Sequence, residues 1–489
     1  MAGGNLARGA SWTTMPLFSS YTLLLAVAAL PMAFGHDHDS SHIEEGEAIS
    51  LEPIDTTLWI HIFIQMAAWG VIFPLGMVLG IVKSRWHVPL QVVGTLLAIL
   101  GYALGHMHGG REFRHDNVHS KFASPLSFLL FLQILMGIYL KLHLEKGIMG
   151  KIRRWVKLGH GILGKAMPVL SWTQMIFGGI TALGFCQGDH IGQCLAHFIM
   201  GGAFIAYGIL LTILLVVGQL WLRRTGRSQE FFDSAVIAAW GCVNTFTEHR
   251  WGTAWVKNDW QHTTMGVVWW CAGLAGVWLS KDRDGRPQRN FIPGFVLLIT
   301  GWAMSAHPQD LMISAETHKM FGYTLMSAGI TRMIEISFVL RDRPGMAADG
   351  RQSNSFQHIP VFLLYASGFL FMGATEEQMN LVANSGMDHV AYILILYSLA
   401  FIVFLFTHIL ISVYDRNTDS AVSNKDISNG RLGPRLNGHV PVRDAQEFEL
   451  EGLMSDDEDD GARRRKSLEE DEALNSPSTV GKNSDGVAH

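Results

Sequence analysis

Long apolar blocks, each roughly 20 residues, alternate along this chain with short charged loops, the pattern of a multispanning membrane protein. The pattern predicts eleven spans, near 58–82, 88–108, 119–140, 160–184, 195–221, 234–249, 261–280, 291–307, 318–340, 358–380 and 389–414. The block 234–249 is short and carries Asn244 and Thr247. The expected fold class is therefore all-α: a polytopic membrane protein of about eleven transmembrane helices in two packed bundles. Upstream, residues 1–35 hold one charge, Arg8, and an apolar core from Tyr21 to Phe34, with small residues near Ala33 and Gly35. That core is short for a span and suits a cleavable signal peptide; an uncleaved anchor is the competing reading. The expected organisation is a signal peptide (1–35), a His-rich acidic segment (36–57), a first bundle (58–222), a second bundle (223–415) and a disordered tail (416–489).

Composition agrees. Hydrophobic residues make up 49% of the 489 and charged residues only 16%, against about 25% charged in soluble domains. With a mean hydropathy of +0.22, this excludes a soluble enzyme, a fibrous protein or a disordered chain. No basic, aromatic-interleaved surface points to nucleic acid, and the expected surroundings are a lipid bilayer. The net charge of −5 averages an acidic tail with basic loops. With residue 36 outside, the inner loops carry 18 Lys and Arg and the outer loops 4. The positive-inside rule and the signal peptide thus give one orientation: N-terminus extracytosolic, C-terminus cytosolic, in a plasma, vacuolar or endoplasmic-reticulum membrane. Cys186 and Cys194 bracket an outer loop, where a disulfide or two free thiols are the alternatives. Cys242 and Cys271 fall within spans.

Each of the first four spans begins with a histidine: His61, His87, His119 and His160. Consecutive spans run antiparallel, so His61 and His119 share one leaflet and His87 and His160 the other. Two facing imidazoles at one depth of a four-helix bundle are what a b-type haem needs. Gln65, Gln91, Gln133 and Gln174, with Gly70, Gly76, Gly94, Gly101, Gly137, Gly164 and Gly178, recur in the same spans. The competing reading places these histidines at the membrane interface, where His106, His108, His115 and His143 also fall.

Trp69-Gly70, Pro74-Leu75-Gly76, Trp86-His87 with Gln91 and Gly94, His119 with Gln133 and Gly137, and His160 with Gly164 resemble the cytochrome b561 core, as in domain-fused proteins of that family. The resemblance covers 58–184. It implies two haems, one held by His61 and His119 and one by His87 and His160, moving electrons across the membrane, often from ascorbate. No basic ascorbate-binding segment of that family is matched.

In the second half, polar groups gather at the outer helix ends: Glu248 and His249, Asp259 and His262, His307, Glu316 and His318, Glu376 and Glu377, Asp388 and His389. As metal ligands, His249, His262, His307, His318, His389, Asp259, Glu376 and Glu377 would suit Fe, Cu or Zn. Hydrated groups at the interface and ordinary helix capping are the alternatives. The strings DSAVIAAWGCVNTFTEHRWG, DWQHTTMG, ITGWAMSAHPQ, THKMFGYTLMSAGITRMIEISFVL, FLFMGATEEQM and MDHVAYILILYSLAFI, with the first half, resemble the fungal Ytp-type family of polytopic membrane proteins over 58–415. That resemblance implies architecture without a settled activity. In the tail, Ser455 before the acidic run Asp456–Asp460 and Ser467 after RRRK resemble kinase sites.

The expected function is transmembrane electron transfer through two b-type haems, from a cytosolic donor to an extracytosolic acceptor such as ferric or cupric ion. This would make the chain a metal-ion reductase type of oxidoreductase. The alternative is a haem-free metal or proton transporter or metal-sensing membrane protein, and a third reading is a scaffold regulated through its tail.

Overall fold

A computed structural model describes residue 43 and residues 47–143, 146–249, 252–306, 308–340 and 353–428, with the side chains of Leu220, Asn258 and 417–428 left aside. The expected signal peptide, His307 and the tail beyond 428 lie outside the described residues. The described chain is helical. Among the described residues there is no strand, only isolated bridges such as Ile49 with Phe113 and Ile54 with Gly110. The helices are α1 (Thr56–Ile81), α2 (His87–Met107), α3 (Val118–Lys141), α4 (Gly147–Leu183), α5 (Ile191–Val216), α6 (Gln219–Thr225), α7 (Gln229–Thr247), α8 (Lys257–Leu279), α9 (Ile292–Ser305), α10 (Met312–Ile334), α11 (His358–Met372), α12 (Glu376–Ser385) and α13 (His389–Ser428).

Each expected span contains a helix, and the protein is an all-α polytopic membrane protein. Among the described residues, seven helices are long and apolar enough to cross a bilayer: α1 to α5, α11 and α13. The other four expected spans are helices of a different kind. α9 has 14 residues, while α7, α8 and α10 carry Glu230, Asp233, Asp259, His262, Lys319 and Arg332 within their length. Backbone groups in a membrane must be satisfied within the segment, which favours helices throughout.

Three boundaries differ from expectation for local reasons. α4 starts at Gly147, not near 160, because the basic stretch Lys151–Lys157 continues the same helix; its 37 residues span about 55 Å, well beyond a hydrocarbon core of about 30 Å. The expected span 358–380 breaks after Met372, where Thr375 caps α12 by accepting the Gln378 N–H at 3.3 Å. α13 runs on to Ser428, past the expected start of the tail at 416.

α1 to α4 form a four-helix bundle. Its core joins Trp69 and Phe73 of α1, Ala98 of α2, Leu126 of α3 and Met167 of α4. α5, grouped by sequence with this bundle, packs instead in the second. The Cβ that an alanine would place at Gly201 of α5 lies 2.6 Å from the Gly368 carbonyl of α11, and the reverse also holds. α11 is the buried centre of the second body, with Tyr365, Ala366 and Leu370 fully enclosed. α9 and α10 meet as closely. A Cβ at Gly301 would lie 2.5 Å from the Gly322 carbonyl, and one at Gly294 3.0 Å from that of Gly329. Small residues at such crossings replace the hydrophobic effect that lipid cannot supply.

Candidate functional site

The four helix-start histidines converge in pairs. The rings of His61 and His119 are 6.2 Å apart between centres and nearly perpendicular, at 86°. Those of His87 and His160 are 6.3 Å apart at 87°. Two imidazoles binding one metal from opposite sides, with metal–nitrogen bonds of about 2 Å, have ring centres about 6 Å apart. The first pair lies at the end of the bundle that carries Cys186 and Cys194, and the second at the opposite, basic end. His61 bonds Gly101, which is 14 residues along α2 from His87, so the pairs are separated by about 20 Å along the bundle.

The sequence positions each ring by a repeated device. In α1 and α2 a histidine is followed four residues later by a glutamine, His61 with Gln65 and His87 with Gln91. The opposite end of each helix offers two glycines to the other. His61 lies over Gly105 and Gln65 over Gly101, while His87 lies over Gly80 and Gln91 over Gly76. A Cβ at Gly105 or Gly80 would come within 2.7 Å of the imidazole. His61 Nδ1–H donates to the Gly101 carbonyl at 2.6 Å, and His87 Nδ1–H to the Gly76 carbonyl at 2.7 Å. The hairpin is thus an antiparallel, self-complementary pair. Its asymmetry is one residue: the glycines follow His87 by 14 and 18 positions but His61 by 15 and 19. The π-helical turn Met66–Ile72 takes up the extra residue, a use of such turns that recurs at functional sites.

α3 and α4 repeat the idea with different spacing. Gln174 Nε2 donates to the His119 carbonyl at 3.1 Å, and Gln133 Nε2 to the His160 carbonyl at 3.0 Å. His119 lies over Gly178 and His160 over Gly137, with Cβ positions 3.3 and 3.4 Å from the rings. Because a carbonyl only accepts, Nδ1 of His61 and His87 carries a proton, which leaves Nε2 as the nitrogen that would bind a metal. His160 Nδ1, Gln133 Oε1 and Gln174 Oε1 are buried without a hydrogen-bond partner. Perpendicular imidazoles, glycine-lined rings and spare buried polar atoms together fit a metal macrocycle at each pair. Beside the second pair, a cavity of about 450 Å³ is lined by Lys83, Ser84, Arg85, His87 and Lys141.

The second-half candidates are distributed over separate places. His249 pairs with Asp259 at 2.9 Å and His262 with Glu248 at 3.3 Å, both at the α7–α8 turn. Glu376 pairs with His190 at 3.5 Å. Glu377 accepts the Cys186 N–H at 2.8 Å and 3.0 Å, holding the loop closed by the Cys186–Cys194 disulfide. His389 lies within electrostatic reach of Glu316. His318 faces a residue that sequence reasoning missed, His197, with ring centres 5.9 Å apart at 82°. Each donates Nδ1–H to the carbonyl four residues earlier, of Ser314 and Gln193 respectively. The signal was a lone histidine inside an otherwise apolar span.

Known proteins are similar to this chain in sequence. Residues 170–415, half of the chain, match the family described as Protein YTP1-like, C-terminal. The chain belongs to the YTP1-like family. Residues 41–143, which hold α1, α2 and α3, match a domain of unknown function, DUF2427. Protein YTP1 of Saccharomyces cerevisiae is 47% identical over 234 residues, which is 48% of this chain and 49% of that protein. The chain thus spans about half the length of that relative. An uncharacterized membrane protein of Schizosaccharomyces pombe is 22% identical over 68% of this chain and 88% of its own. A second from S. cerevisiae is 25% identical over 42% of this chain and 40% of its own. No solved structure matches.

Proposed function

We propose that this YTP1-like protein carries electrons across a membrane through two b-type haems. His61 and His119 would hold one haem, and His87 and His160 the other. The observation that carries the reading is the pair of ring separations, 6.2 and 6.3 Å, each the distance that two axial imidazoles require. Haem iron held between two imidazoles accepts and releases one electron without an open coordination position. The chain's own part is to fix tautomer and orientation. Nδ1–H bonds from His61 and His87 to backbone carbonyls raise the basicity of Nε2, and Gly80, Gly105, Gly137 and Gly178 leave the rings room to stand against their neighbours. The resemblance of 58–184 to the cytochrome b561 core supports the same pairing.

The bias of Lys and Arg supports a cytosolic His87–His160 end. There the cavity lined by Lys83, Arg85 and Lys141 suits an anionic reductant. At the other end, Glu248, His249, Asp259 and His262 on the α7–α8 turn offer imidazole and carboxylate to an acceptor such as ferric or cupric ion. Single His→Ala variants test the pairing. His61→Ala and His119→Ala should remove the same half of the b-type absorbance, and His87→Ala and His160→Ala the other half. Full spectra in all four variants would overturn the assignment and favour a haem-free transporter.

A further inference from the structure

Five ionisable groups that the electron path does not use lie together at the basic end of the second bundle, four of them buried and Arg289 partly buried. Arg332 of α10 donates to Glu230 of α7 at 2.7 Å and to Glu335 at 2.6 Å. Arg289, just before α9, reaches the same Glu230 oxygen at 3.4 Å. Tyr207 of α5 donates its hydroxyl proton to Asp233, and Gln229 lies 3.4 Å from that carboxylate's other oxygen. Gln357 donates to Glu335 at 3.1 Å. Glu230 is fully buried and Glu335 2% exposed.

The charges do not balance. Glu230, Asp233 and Glu335 supply three negative charges, and Arg289 and Arg332 two positive ones. An uncompensated charge in a low-dielectric interior is costly, and a buried carboxyl escapes the cost by taking up a proton. A place for that proton exists. Glu230 Oε2 is buried without a hydrogen-bond partner, and so is the hydroxyl of Ser234 one turn further along α7.

Next to this network stands a histidine pair on the same end of the bundle. His358 follows Gln357 directly, and its ring is 5.1 Å from that of His408 of α13. His358 Nδ1 and His408 Nε2 are buried without partners, while His358 Nε2 meets the Ser353 hydroxyl at 3.2 Å.

We propose that Glu230, Asp233 and Glu335, with Arg289 and Arg332, form a proton-exchange site that holds one proton among its carboxylates. His358 and His408 pass that proton to and from water at the basic end. Protonation brings the network to neutrality, and deprotonation leaves it with one excess negative charge. No redox step is involved, and the proposal does not rest on the haems.

The test is infrared spectroscopy of the purified full-length protein in lipid nanodiscs, following the C=O stretch of a protonated carboxylic acid, which ionised carboxylates lack. Wild type should show a pH-titrating band, and Glu230→Gln, Asp233→Asn or Glu335→Gln should each abolish it, because each leaves two acids against two guanidinium groups. Arg289→Gln should double its area, because three acids then face one guanidinium, and it leaves the Arg332 pairs intact if the acid variants fold poorly. His358→Ala with His408→Ala should keep the band but slow its shift in D₂O at least tenfold. A band absent from folded wild type, or unchanged in Arg289→Gln, would overturn the site. Unslowed exchange in the histidine variant would overturn the path.

Discussion

Replacing Gly105 with alanine separates the fit of His61 from the stability of α2. The new methyl would stand 2.7 Å from Nδ1 and Cε1 of His61. An ordinary contact begins near 3.4 Å, so the imidazole must shift by about 0.7 Å, whereas a metal–ligand distance tolerates about 0.2 Å. The stability balance is close. Gly→Ala in a helix interior gains up to about 1 kcal/mol, and overpacking costs about 1–3 kcal/mol. The variant should therefore fold with little loss, yet lose the haem proposed at His61 and His119 while keeping the one proposed at His87 and His160. Gly179→Ala is the control, since nothing lies within 4 Å of its Cβ although its neighbour Gly178 supports His119. The assay is the α-band of the reduced-minus-oxidised spectrum, normalised to protein, beside thermal unfolding. Gly105→Ala with both haems retained, or with both lost equally from a folded protein, would refute the reasoning.

Other outcomes follow from the same geometry. Cys186→Ser should lower stability by about 2–3 kcal/mol through loss of a short closed loop, read as a fall in Tm that reductant reproduces in wild type. Arg332→Gln should destabilise by about 3–5 kcal/mol by leaving Glu230 and Glu335 buried without their shared partner, measured by unfolding in mixed micelles. Asp55 caps α1 by accepting the Leu58 N–H at 2.8 Å and also accepts the Gly109 N–H at 3.1 Å. The Leu58 bond is the main cause holding its carboxyl below the usual 3.8. A depressed pKa stabilises the fold above the unfolded value and loses that effect as pH falls through the folded value. Asp55→Asn should therefore flatten the loss of stability below about pH 4, and an acid profile identical to wild type would contradict the cap.

Much of this architecture was legible because membrane helices declare themselves by length and apolarity, and the helix-start histidines by position. The one-residue offset between the His61 and His87 spacings was present in the chain, but only the π-turn gives it meaning. The second bundle was less legible. Glu230 and Asp233 fall in a segment that reads as a basic loop, and Arg332 sits in a span whose apolar average conceals it. Their partnership depends on how α7 and α10 pack, which periodicity does not encode. Counting polar helix ends on one face likewise brought His249, His262, His318, His389 and Glu377 together by depth, whereas helix neighbours decide contact. Glu377 serves the disulfide loop, and His249 serves Asp259.

The central claim is tested most directly by the haem content of the purified full-length protein, from a reduced-minus-oxidised spectrum calibrated against extracted haem. Two axial pairs with ring centres 6.2 and 6.3 Å apart predict two b-type haems per chain, each reducible. A well-folded, colourless protein, expressed with ample haem supply, would contradict the account.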